Sequence, residues 1–175
     1  MPINLQPLLQ NELIKLIPLK KSDFKMLYKV ASDPLIWEQH PNKNRYQKEV
    51  FKTFFEGAIK SNGAFLVFNK KTEQLIGSSR YYDFDKENSS IAIGYTFLSR
   101  DHWGTIYNNA LKTLMLNYAF EFVIKVIFHI GAENMRSQKA IAKLGAIKTD
   151  EIEMKYFGEE KKLNFIYEIE KSNWN

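Results

Sequence analysis

Two short stretches of this chain carry side chains whose types and spacing suit them to chemistry. In the first, Ser99-Arg100-Asp101-His102-Trp103-Gly104-Thr105 leads into a segment of helical apolar period. Backbone N–H groups at the start of a helix have no partner within it, and the helix dipole adds partial positive charge, so such a loop suits a phosphate. Gly104 lets the backbone approach an anion with no side chain between them, although the same residue serves equally well in a tight turn. In the second stretch, Asn134 and Ser137 stand three residues apart, share one face of a helix and can meet one ligand, with Ala140 and Ile141 continuing that side. The pair reads equally as a helix cap and a first-turn serine that need no ligand.

A third group lies in Trp37-Glu38-Gln39-His40-Pro41-Asn42-Lys43-Asn44-Arg45-Tyr46, a polar segment suited to a loop over a site. Trp37, His40, Arg45 and Tyr46, with Arg80 and Tyr81 from a strand, are candidates to line an acceptor groove; for Trp37 and Tyr46 the alternative is packing under a helix. Cysteine is absent, which removes disulfides, thiolate metal sites and cysteine nucleophiles together. The three histidines have no H-x-x-x-H spacing, so no metal is expected, and His129, inside the apolar run VIFHI, reads as a satisfied core histidine. The net charge of +5 favours an anionic partner, for which both nucleic acid and CoA qualify. The lysine doublets at 20 to 21, 70 to 71 and 161 to 162 are scattered and read as solvated surface, and no helix-turn-helix, RNP-like strand or arginine cluster supports nucleic acid.

The elements that must hold these residues follow from periodicity. Segment 12 to 19 alternates as a strand, and Ser22 followed by DFKMLYKVA reads as a capped short helix ending before Asp33-Pro34. Tyr46, Val50, Phe51, Phe54, Phe55, Ala58 and Ile59 form one apolar helical stripe, ended by Asn62-Gly63. Runs 64 to 68, 74 to 83 and 89 to 98, separated by polar turns, predict an antiparallel meander. A helix over 106 to 123, a buried parallel strand over 126 to 130 and a helix over 134 to 144, closed by Gly145, come next. Strands 146 to 152 and 163 to 169 complete a single mixed α/β domain over residues 1–175, mostly antiparallel with a central parallel strand pair. There is no repeat, low-complexity run or linker, no apolar stretch long enough for a membrane span, and no charged start or cleavage site in MPINLQPLLQNELIKL; a soluble cytoplasmic protein is expected.

The run IGYTFLSRDHWGTIYNNALKTLMLNYAFEF followed by VIFHIGAENMRSQKAIAKLGA resembles the GNAT acetyltransferases, and most closely their RimJ/RimL-like branch, firmly over residues 90 to 150 and elsewhere in the order of elements. The resemblance implies a GNAT-type sheet flanked by helices, acetyl-CoA as cosubstrate, and acetyl transfer to a primary amine, of a peptide N-terminus or of a small molecule, with a homodimer compatible. It implies Phe97 and Leu98 for pantetheine, His102, Trp103, Gly104, Thr105, Ile106, Tyr107 and Asn108 for pyrophosphate, and Asn134 with Ser137 beside the thioester. By the same resemblance Ser137 is the candidate acid for the leaving thiolate. Glu153, or an ordered water, is a candidate base, since Ala92 stands where relatives often carry an acid. The chain departs from the family loop at Asp101 and Ile106, and a branched Ile106 is expected to point into the core. A non-catalytic CoA-binding or interaction domain on the same fold is the alternative.

Overall fold

The computed structural model describes residues 3 to 174. Strands β1 (Leu9–Gln10) and β2 (Ile14–Pro18) precede helices α1 (Phe24–Ala31) and α2 (Lys48–Lys60). Then come the meander β3 (Ala64–Asn69), β4 (Leu75–Asp85) and β5 (Ser90–Leu98), α3 (Ile106–Ala119), β6 (Lys125–Gly131), α4 (Met135–Ala142), β7 (Ile147–Lys155) and β8 (Lys161–Glu170). The strands form one eight-stranded sheet in the order β1-β2-β3-β4-β5-β6-β8-β7. Every pairing is antiparallel except β5 with β6.

Side chains of a strand alternate between faces, so the sheet builds a core on each side. Phe65 and Val67 of β3 join Leu111, Met115 and Leu116 of α3 and Ile141 of α4 on one face. Ala64 and Leu66 join Phe51, Phe54, Phe55 and Ala58 of α2, with Leu27 and Ala31 of α1, on the other. Each of these large side chains contributes about 1.5–3 kcal/mol by leaving water, which is what holds the helices on the sheet.

The expected order of elements is present, with local differences. Ser22 does not cap α1: it lies in a 3₁₀ turn (Lys21–Asp23), and the turn is closed by Asp23, whose carboxylate accepts from Lys20 N at 2.8 Å. Tyr46 precedes α2, and α3 stops at Ala119 because the chain turns at Phe120 to Val123 to enter β6. The edge strand β1 escaped the periodicity because two residues carry no period. Strand β7 runs on to Lys155, exposed almost throughout, and its charged side chains guard the other edge.

Candidate active site

The cleft begins with a break in strand pairing. Arg80 pairs with Gly94 and Ser78 with Phe97, so Tyr95 and Thr96 together face Ser79 as a bulge, and Tyr95 sits at φ +53°. On its other side β5 has already parted from β6: the two strands pair only from Ser90 to Ala92 with Lys125 to Ile127. Between the parted strands opens a cleft of about 190 Å³, walled by β5 from Ile93 to Leu98 and β6 from Phe128 to Gly131, and reached by α3 and α4.

At one end lies the loop before α3. Gly104 takes φ +63°, and a Cβ placed on it would meet nothing within 4 Å, so its backbone borders open space on the cleft wall. Thr105 caps α3, its hydroxyl accepting from Tyr107 N at 3.4 Å while donating to His102 O at 2.7 Å. His102 is buried beside the Ser99 hydroxyl, 2.8 Å from Nδ1, and burial lowers its pKa. Trp103 donates to Leu98 O at 2.9 Å and carries the Arg136 guanidinium 3.7 Å above its ring, a latch between this loop and α4.

Across the cleft Asn134 caps α4, its side-chain oxygen accepting from Ser137 N at 3.2 Å. The Ser137 hydroxyl lines the cleft and has no side-chain hydrogen bond among the described residues. The β6–α4 turn is fixed by Gln138, whose amide donates to Gly131 O and Ala132 O, and Gly131 lies against Pro41, where an added Cβ would stand 2.6 Å from the ring.

Of the expected cofactor residues, Phe97, Leu98, His102, Trp103, Gly104, Asn108, Asn134 and Ser137 line this one cleft. Thr105, Ile106 and Tyr107 do not. Tyr107 packs on His102 and takes a hydrogen bond from Asn69 at 2.8 Å. Ile106 is 61% exposed, so the expectation that it points into the core is overturned: the first turn of α3 faces solvent there. Asp101 is exposed and outside the cleft wall.

Of the acceptor candidates, His40 and Arg45 reach the cleft. Arg45, 2% exposed, is held by a bidentate ion pair with Glu159 at 2.8 Å per arm and donates to His40 Nδ1 at 3.1 Å. Burial, then Arg45, then Arg136 keep the His40 pKa well below its ordinary value. Trp37 is buried with its indole donating to Ala31 O, and Tyr81 lies in the opposite core donating to Met115 O at 2.6 Å, so both are packing residues. Tyr46 takes no part in the cleft wall. Arg80 lies behind it with its guanidinium 3.8 Å from the Tyr95 ring; burial lowers its pKa to about 10. Glu153 is exposed on β7 and apart from the cleft wall.

Four cleft residues were missed. Tyr95 and Tyr156 meet edge to face at 5.4 Å. His129, far from a sealed core residue, lines the cleft; its Nδ1 is 2.9 Å from the Tyr82 hydroxyl, and burial lowers its pKa. Alternation along β6 places it opposite in sense to Phe128, a signal the apolar run concealed. Lys112 of α3 is also in the wall, four residues beyond Asn108 on the same helix face.

The family model described as acetyltransferase (GNAT) domain matches residues 14–147. The chain therefore belongs to the GNAT acetyltransferase family and is an acyltransferase. A GCN5-related N-acetyltransferase from Brucella melitensis superposes with a TM-score of 0.82 at 16% identity, over 99% of this chain and 81% of that one. Spermidine N-acetyltransferase from Vibrio cholerae, in complex with CoA and spermine, gives 0.69 at 16% identity, over 93% and 98%. Mycobacterium smegmatis RimJ, in complex with CoA-disulfide, gives 0.70 at 13% identity, over 91% and 82%. At these identities the likeness is one of fold. Comparison with curated proteins finds no match.

Proposed function

We propose that this chain transfers an acetyl group from acetyl-CoA to a primary amine by direct attack on the thioester, as one domain of the RimJ/RimL-like kind. The observation that carries this reading is the cleft itself, where an open Gly104 loop at a helix start and an uncommitted Ser137 hydroxyl face one space. CoA fits the donor set: N–H groups before α3 for phosphates, and strand edge and apolar wall for the arm.

The amine nitrogen attacks the thioester carbon, the carbon–sulfur bond breaks, and the leaving thiolate takes the proton of Ser137 Oγ. For the proton of the attacking amine we assign His129 in place of Glu153. In the tautomer whose Nδ1–H donates to the Tyr82 oxygen, Nε2 keeps its lone pair for this role, and burial lowers the ring's pKa and so favours its neutral form. No aspartate or glutamate is among the residues lining the cleft, which favours a peptide N-terminus or small monoamine over a polycation. Acetyl-CoA turnover followed by free-thiol release against a panel of short peptides, amino acids, aminoglycosides and polyamines tests the reading. Turnover with a peptide or monoamine is expected, and binding of CoA without turnover on any amine would reject it.

A further inference from the structure

Lys112 has no place in that chemistry, yet it is a buried charge in the cleft wall. It is 4% exposed. Its ammonium donates to Thr96 Oγ1 at 2.6 Å and lies 5.7 Å from the Phe128 ring centroid; Thr96 Oγ1 is itself 2.8 Å from Ser79 Oγ. Among the described residues no salt bridge reaches it and no carboxylate lines the cleft. A lysine carries three donors, and a buried cation without an anion is costly unless something else supplies acceptors. Burial alone brings its pKa down to about 7.

We propose that Lys112 is a second recognition point for the acyl donor: from α3 its ammonium donates to an oxygen of the arm that enters the cleft. That oxygen is either an amide carbonyl of the arm or a carboxylate ending the acyl group. The inference rests on reading the cleft as an acyl-CoA site. Its geometric basis is that Asn108 and Lys112 share one face of α3, so the helix that starts at the phosphate loop carries this donor one turn deeper along the same wall. An acceptor that binds the charged form raises the lysine pKa, so affinity holds below pH 7 and weakens as pH rises above it. The groups that meet the Lys112 ammonium are the Thr96 hydroxyl and the Phe128 ring, neither of them charged, and behind Thr96 stands the Ser79 hydroxyl. Elsewhere in the wall stand His40, His102 and His129, whose pKa values burial lowers, and the guanidinium groups of Arg45 and Arg136.

Calorimetric titration of CoA, acetyl-CoA and succinyl-CoA into wild type, Lys112→Met and Lys112→Gln tests this. Loss of at least about tenfold in affinity for all three in Lys112→Met, with partial recovery in Lys112→Gln, supports the arm carbonyl as partner. Loss confined to succinyl-CoA supports the acyl carboxylate. Equal affinity of wild type and both variants overturns the inference while leaving the acyl-CoA reading intact; no binding by wild type overturns both. If Lys112→Met does not fold, acetyl-CoA affinity of the wild type between pH 7 and 9 decides: a fall supports the proposal and a flat profile rejects it.

Discussion

Ser137 and His129 divide the proton work in the proposed reaction, and each leaves its own kinetic mark. A leaving-group acid acts mainly in the transition state, so Ser137→Ala is expected to lower turnover while leaving acetyl-CoA affinity close to wild type. Titration calorimetry beside a thiol-release assay separates the two; full activity would move the proton donor elsewhere. For His129 the pH profile is the measure. Because burial lowers its pKa, the ring stays neutral to a pH below 6.5, and the acid limb of kcat/KM is expected below that value. His129→Gln should lower the rate and erase that limb, and an unchanged limb would assign it to another group. Arg45 answers to stability instead. Its fork is taken by Glu159, so Arg45→Ala breaks a buried pair and is expected to cost about 3–5 kcal/mol in denaturant unfolding. Its candidacy was legible from residue type; that the fork was already occupied was not, since the two residues lie 114 positions apart.

The loop before α3 and helix α4 are the elements in which local sequence spoke most clearly. Gly104, Asn134 and Ser137 were legible because turns and caps leave signatures within four residues, and periodicity placed nearly every helix and strand. The bulge was not legible: Tyr95 at φ +53° is a non-glycine residue held left-handed by the mismatch between β4 and β5, which only the pairing reveals. Lys112 was hidden for a related reason, because a lysine on a helix reads as solvated until the strands above it part. Gly104→Val is expected to abolish CoA binding, since the side chain enters the open space beside the loop, and to cost about 1–2 kcal/mol through its positive φ. Circular dichroism confirms the fold and calorimetry the loss; normal binding would remove the phosphate from this loop. Ile106→Gly, by contrast, removes an exposed side chain, so it should cost only about 1 kcal/mol and leave CoA affinity within about threefold.

For the molecule as a whole, a ligand that binds only the folded state stabilises it by mass action. CoA and acetyl-CoA should both raise the melting temperature, by the equivalent of about 2.7 kcal/mol at a hundredfold excess over Kd. The buried bases also set how stability follows pH. His40, His102 and His129 have lowered pKa values, so the unfolded chain binds more protons near pH 6.5 and below, and stability falls on acidification through that range. Lys112 acts likewise between about 7 and 10.5, so stability should go on rising above neutrality, and thermal melts of Lys112→Met should show that rise flattened. The sheet also has a seam. Three residue pairs join β5 to β6, against seven between β6 and β8 and eight between β7 and β8. The molecule is thus two leaves on a short hinge, and local unfolding should open there first, with amide exchange at 93 to 98 and 128 to 131 faster than in the strands on either side. A compound lodged between the leaves rivets them together, so exchange should slow on both sides of the seam at once, even for residues it never touches.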